Sequence, residues 1–112
     1  MASLDAARSL ALGLPEATEQ PYHGFPSFRV GGKIFANLPD HDHMHLMLSE
    51  EEIREAVASF EGCEEQWWGK KLSALRITLS LLDEGDLGGL LVAAWRRRAS
   101  KTLQASFDAG EV

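Results

Sequence analysis

Phe28-Arg29-Val30-Gly31-Gly32-Lys33-Ile34-Phe35-Ala36-Asn37-Leu38 is the stretch that decides the fold. Two runs rich in β-branched and aromatic residues flank a glycine pair. Glycine accepts the positive φ that a two-residue I′ or II′ turn demands, so the stretch predicts a β-hairpin. On its second arm Ile34, Ala36 and Leu38 alternate onto one face. Pro39-Asp40-His41-Asp42 predicts another turn, after which Met44, Leu46 and Leu48 alternate again. The result is a three-stranded antiparallel meander with one better-buried face.

Working outward, Leu4, Ala7, Leu10, Ala11 and Leu14 recur at helical spacing behind Ser3, a good N-cap, and Gly13 and Pro15 end the helix. The turn-forming residues 16–27 leave room for at most a short edge strand around Tyr22. Downstream, Ser49-Glu50-Glu51-Glu52 reads as a capping box, with Ile53, Ala56, Val57 and Phe60 as the apolar stripe behind it. Residues 61–73 are irregular. Leu75, Ile77 and Leu79 predict a further strand, and Asp83 to Asp86 open a last helix with Leu87, Leu90, Leu91, Ala94 and Trp95 inward. The segment after Leu103 lacks periodicity and is expected to fray. The predicted order is α-β-β-β-α-β-α, an α+β single domain with an antiparallel β-sheet and helices packed on one face.

The chain has 112 residues, 45% hydrophobic and 25% charged, enough for one domain with a core. A single cysteine, Cys63, excludes an intrachain disulfide framework. No stretch approaches the roughly 20 apolar residues of a membrane span. The N-terminal run has no basic segment and reads as a helix, not a signal peptide. A cytoplasmic, monomeric protein is expected. The net charge of −6 argues against general nucleic-acid binding, which Lys and Arg drive. The charge is uneven, however: residues 1–65 carry a net of −8 and residues 66–112 a net of +2.

Leu10-Ala-Leu-Gly-Leu-Pro15, Gly24-Phe-Pro-Ser-Phe-Arg-Val-Gly-Gly-Lys-Ile-Phe-Ala36, Trp67-Trp-Gly-Lys-Lys71 and Ala94-Trp-Arg-Arg-Arg-Ala99 together resemble the MmcQ/YjbR family over residues 4–103. The family often closes on Ala-Pro-Lys, where this chain has Ala99-Ser100-Lys101. The resemblance implies a YjbR-like α+β domain, similar to the CyaY/frataxin architecture, over residues 1–104, with 105–112 as a tail. It also implies DNA binding, a label that rests on structural analogy to a winged motif, and it supplies no catalytic residue set.

Arg29, Lys33, Lys70, Lys71, Arg96, Arg97 and Lys101 are the candidate phosphate contacts, with Trp68 as a stacking residue; basic groups beside aromatics suit a nucleic-acid strand. The competing reading is a solvated hairpin and helix end, since three consecutive arginines fan around a helix. Trp67 and Trp68 cannot both face inward from an extended strand. One is expected to anchor the core beside Trp95, and the other to line a groove with Tyr22, His23 or Phe25. That groove supports the alternative, a protein-interaction or small-ligand-binding module. Asp40-His41-Asp42-His43-Met44-His45 has metal-ligand chemistry but no second cluster to complete a site, so a polar loop is expected and no metal or other cofactor. Cys63 lies among Glu61, Glu64 and Glu65, which would raise its pKa and make it a poor nucleophile. No catalytic motif is present, and the chain reads as non-enzymatic.

Overall fold

The computed structural model describes residues 1–110; Glu111 and Val112, the end of the expected tail, lie outside the described residues. Gly31 and Gly32 take φ values of 60° and 78°, the two positive angles of a type I′ turn. They join strand β2 (Phe25–Val30) to β3 (Lys33–Asn37), with Val30 opposite Lys33. Between these strands the register shifts: Arg29 pairs with Ile34, but Phe28 pairs with Ala36. Phe35 is the extra residue of a β-bulge, and it and Ala36 are both fully buried. Ile34, expected on the face of Ala36 and Leu38, is instead only half-buried and lies beside Arg29 on the opposite face.

The sheet has six strands. β1 (Thr18–Tyr22), β4 (His43–Leu46), β5 (Cys63–Trp68) and β6 (Lys71–Thr78) complete it in the order β1-β2-β3-β4-β6-β5, every neighbour antiparallel. Helices α1 (Leu4–Leu12), α2 (Glu50–Ser59) and α3 (Glu84–Arg98) gather on one face. There α3 lies on β3 and β4, α2 lies on β5 and β6, and α1 leans on α3. Phe28, Phe35, Met44, Ile53, Leu75 and Trp95 are among the side chains fully enclosed between the layers. The Trp95 indole N–H donates to the Pro15 carbonyl at 3.0 Å, tying α3 to the end of α1. Both expected caps are present: the Ser3 hydroxyl accepts from the Ala6 amide, and Ser49 and Glu52 form a reciprocal capping box.

The fold is the α+β sheet-and-helix domain expected, with three elements beyond the predicted order. β1 is an edge strand with all five residues exposed, so no alternation marks it. β5 is the other edge, and apart from Cys63 its residues stay exposed or half-exposed. The segment expected to fray after Leu103 is instead helical as far as Asp108, as part of α4 (Lys101–Asp108), which the Ser100 hydroxyl caps. Its Phe107 packs on Trp95 with ring centroids 5.0 Å apart. Neither Trp67 nor Trp68 reaches the core: they are 43% and 59% exposed, at the end of β5 beyond the rungs that β4 makes with β6. Trp95 has Phe107 as its aromatic neighbour instead.

Candidate functional site

The sheet face away from the helices forms a hollow of about 380 Å³. β2 supplies Arg29, β3 supplies Lys33, Ile34 and Asn37, and Met47 follows β4. Tyr22, at the end of β1, and Trp68, at the β5–β6 turn, complete the aromatic part of its wall. Arg98 arrives from the end of α3 and donates its Nε–H to the Ile34 carbonyl at 3.2 Å. The lining thus carries three cations, Arg29, Lys33 and Arg98, and no carboxylate.

An adjoining hollow of about 390 Å³ shares Met47 and Arg98 and adds Lys71 and Arg97. Arg97 donates to the Met47 carbonyl at 3.1 Å, and its Nε lies 3.9 Å from Glu52. Glu50 is the one acid on this second lining. The bulge and the arginine clips therefore bring five cations around Met47, drawn from three distant parts of the chain.

Two polar atoms of its lining residues are sealed beneath its surface. Arg29 Nε and Asn37 Oδ1 are buried and have no hydrogen-bond partner among the described residues. Asn37 is only 4% exposed. An unsatisfied buried polar group costs about 1–3 kcal/mol.

The sequence candidates divide accordingly. Arg29, Lys33, Lys71, Arg97, Tyr22 and Trp68 line the two hollows. Arg96 points elsewhere: it forms a bidentate pair with Asp108 and lies 5.4 Å over the Phe107 ring. That hydrogen bond holds the Arg96 guanidinium pKa above its already high ordinary value. Lys70 and Lys101 are exposed but line neither hollow. Phe25 lines a separate cleft with Pro21 and Pro26, edge-on to Tyr22. Trp67 turns its N–H to Glu65 at 3.1 Å. Sequence reasoning missed Arg98 and Asn37. Arg98 could have been found as the third arginine of the fan, the one turned back toward the sheet.

A family model described as YjbR matches residues 12–97. The chain belongs to the YjbR family. The match takes in the whole of the Phe28–Leu38 hairpin, the Trp67–Lys71 turn and the arginines as far as Arg97. No curated protein and no solved structure matches the chain.

The remaining candidate groups of this YjbR domain are engaged or enclosed. Asp40 accepts from the Asp42 amide and bonds His43 Nδ1 at 2.9 Å, and these contacts hold its carboxyl below the usual range. His45 Nε2 bonds Arg76 Nη1 at 3.0 Å. Burial, with the Arg76 charge next, lowers the His45 pKa. Among the described residues no group of three potential ligands is placed to hold a metal ion. Cys63 is buried, and its thiol is pushed up to about 11 by desolvation, not by the neighbouring carboxylates. No described helix is long and apolar enough to cross a membrane.

Proposed function

We propose that this YjbR-family protein is a non-catalytic, DNA-binding domain that grips backbone phosphates with the cations around Met47. One observation carries the reading: the outer hollow is lined by Arg29, Lys33 and Arg98 without a carboxylate, and Lys71 and Arg97 extend the same surface. The net charge of −6 opposes long-range attraction, so the interaction is local and strongly screened.

Each phosphate neutralised on a single strand contributes about −0.7 to the slope of log affinity against log salt. Five contacts weaken binding of a labelled single-stranded oligonucleotide about 100-fold between 50 and 200 mM salt. Lys33→Ala with Lys71→Ala lowers the slope by about 1.4. Arg96→Ala leaves it unchanged, because Asp108 holds that side chain. A salt-independent affinity, or none at 50 mM, overturns the proposal.

The cationic, carboxylate-free lining also fits a second reading, a free small anionic ligand in the same hollow. Such a ligand follows salt with a slope near that of a single contact.

A further inference from the structure

We infer that the trough between α2 and α3 docks a basic amphipathic helix of a partner protein. The trough lies on the helical side of the sheet, and its use does not rest on the phosphate-binding proposal. α3 covers β3 and β4 while α2 covers β5 and β6, and about 320 Å³ is left open between the two helices. Buried Leu48 floors this trough. Ala56 and the C-capping Phe60 wall one side, Leu90 and Ala93 the other. Phe60 and Leu90 are only half-buried, so the apolar walls stand open to solvent. Helical spacing adds Gly89 to the stripe of Leu90 and Ala93, and a Cβ there would meet nothing within 4 Å. Glycine inside a helix is destabilising, and no contact among the described residues explains this one. It leaves room for a second backbone to approach closely.

The rim sets the charge of the occupant. Glu52 and Glu55 line the trough, and no lysine or arginine does. Glu50 and Glu51 stand on the same helix, whose one base, Arg54, lies 3.6 Å from Glu50. Arg97 meets Glu52 at 3.9 Å, where α2 begins and α3 ends, so the helices run antiparallel and this pair closes one end. Glu55 is left on the rim with no ion pair among the described residues. A partner that carries Lys or Arg beside its apolar residues supplies the missing charge. The shape sets the conformation. Residues 52–60 rise about 12 Å, so a partner helix lays its i, i+4 and i+7 side chains along the walls. A helix satisfies its own backbone, whereas an extended segment would find no free amides or carbonyls on two helix flanks.

The probe is a labelled leucine-lysine peptide of about 18 residues, long enough to hold a helix, with its leucines on one stripe. Its binding to the full chain is followed by fluorescence anisotropy at physiological salt, where distant charges are screened. A scrambled peptide of the same composition and a version with glutamate for lysine are the controls. The striped basic peptide binds more tightly than either. Leu90→Ala weakens it on the order of tenfold, as loss of an apolar anchor does. Ser59→Arg, at an exposed rim position, weakens it roughly threefold or more and serves if the Leu90 variant is unstable. Asp5→Lys, a larger change of charge at an exposed position on α1, weakens it less than Ser59→Arg does.

Equal binding of the striped and scrambled peptides overturns the docking trough, as does a loss in Asp5→Lys as large as that in Ser59→Arg, because either reduces the effect to net charge. Absent binding of the basic peptide, or tighter binding of the glutamate version, overturns it too. Sedimentation that shows a dimer of the chain alone, dispersed by Ser59→Arg, gives the trough to a second copy and overturns the partner helix. None of these results bears on oligonucleotide binding, which is measured separately.

Discussion

Gly62→Ala, compared with Gly32→Ala, separates two costs that a glycine position can hide. Gly62 joins α2 to β5 at φ 89°, and a Cβ built there lies 2.7 Å from Leu81 Cβ and 3.3 Å from the Thr78 carbonyl oxygen. Gly32 has a similar φ of 78°, but a Cβ there meets nothing within 4 Å. Both substitutions incur the left-handed backbone penalty of about 1–2 kcal/mol. Only Gly62→Ala adds overpacking, worth about 1–3 kcal/mol, because Leu81 Cβ cannot withdraw without moving the 3₁₀ turn Leu79–Leu81. That turn is tied in from both sides, since the Gly62 carbonyl accepts the Thr78 amide at 2.8 Å and the Leu79 amide donates to Asp42. Gly62→Ala is therefore expected to lose about 2–5 kcal/mol and Gly32→Ala about 1–2. Urea unfolding followed by tryptophan fluorescence measures both. Oligonucleotide affinity of folded Gly62→Ala stays at the wild-type level, because Gly62 adjoins the Cys63–Ile77 rung, at the far end of the β5–β6 ladder from Trp68 and Lys71. Equal losses for the two variants would refute the argument that Leu81 crowds this turn.

Cys63, with its thiol pushed up to about 11 by burial, reacts with an aromatic disulfide at pH 8 far more slowly than an unfolded cysteine, and denaturant restores the rate; a fast native reaction contradicts the burial. The folded-state pKa of His45 lies below its ordinary 6.5, so its contribution is complete above pH 6.5 and is lost as pH falls below that value toward the folded pKa. The urea midpoint is accordingly lower at pH 5.5 than at 7.5, and His45→Gln narrows the gap; an unchanged gap assigns it to other groups. Phe107→Ala frees α4 from Trp95 and is expected to cost about 2 kcal/mol, less than the loss of a fully buried phenylalanine, with a red shift in emission; an unchanged melting temperature shows that α4 contributes nothing to the core.

What the sequence made legible follows from where signals are local. Ser3, Ser49 and Asp83 cap α1, α2 and α3 because a hydroxyl or carboxylate needs only its own turn to find an amide. Gly31-Gly32 fixes its hairpin for the same reason. β1 and β5 were harder to read because an edge strand exposed on both faces has no burial alternation, and Pro21 and the Glu64-Glu65 pair point away from strand. α4 depends on Leu103 and Phe107, four residues apart, meeting a surface made by other elements. At the site, Arg29, Lys33 and Lys71 could be named from their neighbours in sequence, but their convergence could not. It needs the Phe35 bulge, which sets Ile34 beside Arg29, and the α3 terminus, which sends Arg96 to Asp108 and Arg98 to the Ile34 carbonyl. Asn37 reads as an ordinary polar residue in a strand, and nothing in its sequence neighbours announces its burial.

The sheet order has a kinetic consequence. β1 to β4 form by successive hairpins, and β5 with β6 forms another, all from contacts close in sequence. The two units meet at one seam, where His43, Met44, His45 and Leu46 pair with Thr78, Ile77, Arg76 and Leu75. Closing that seam brings together segments separated by α2 and β5, with little reward before the pairing is made. Closing the seam is therefore expected to limit the folding rate, which stopped-flow refolding measures. Substitutions such as Met44→Ala or Ile77→Ala slow refolding, whereas changes at the Gly31-Gly32 tip chiefly speed unfolding. The same seam backs the Met47 surface, so an open seam is an unbuilt binding site.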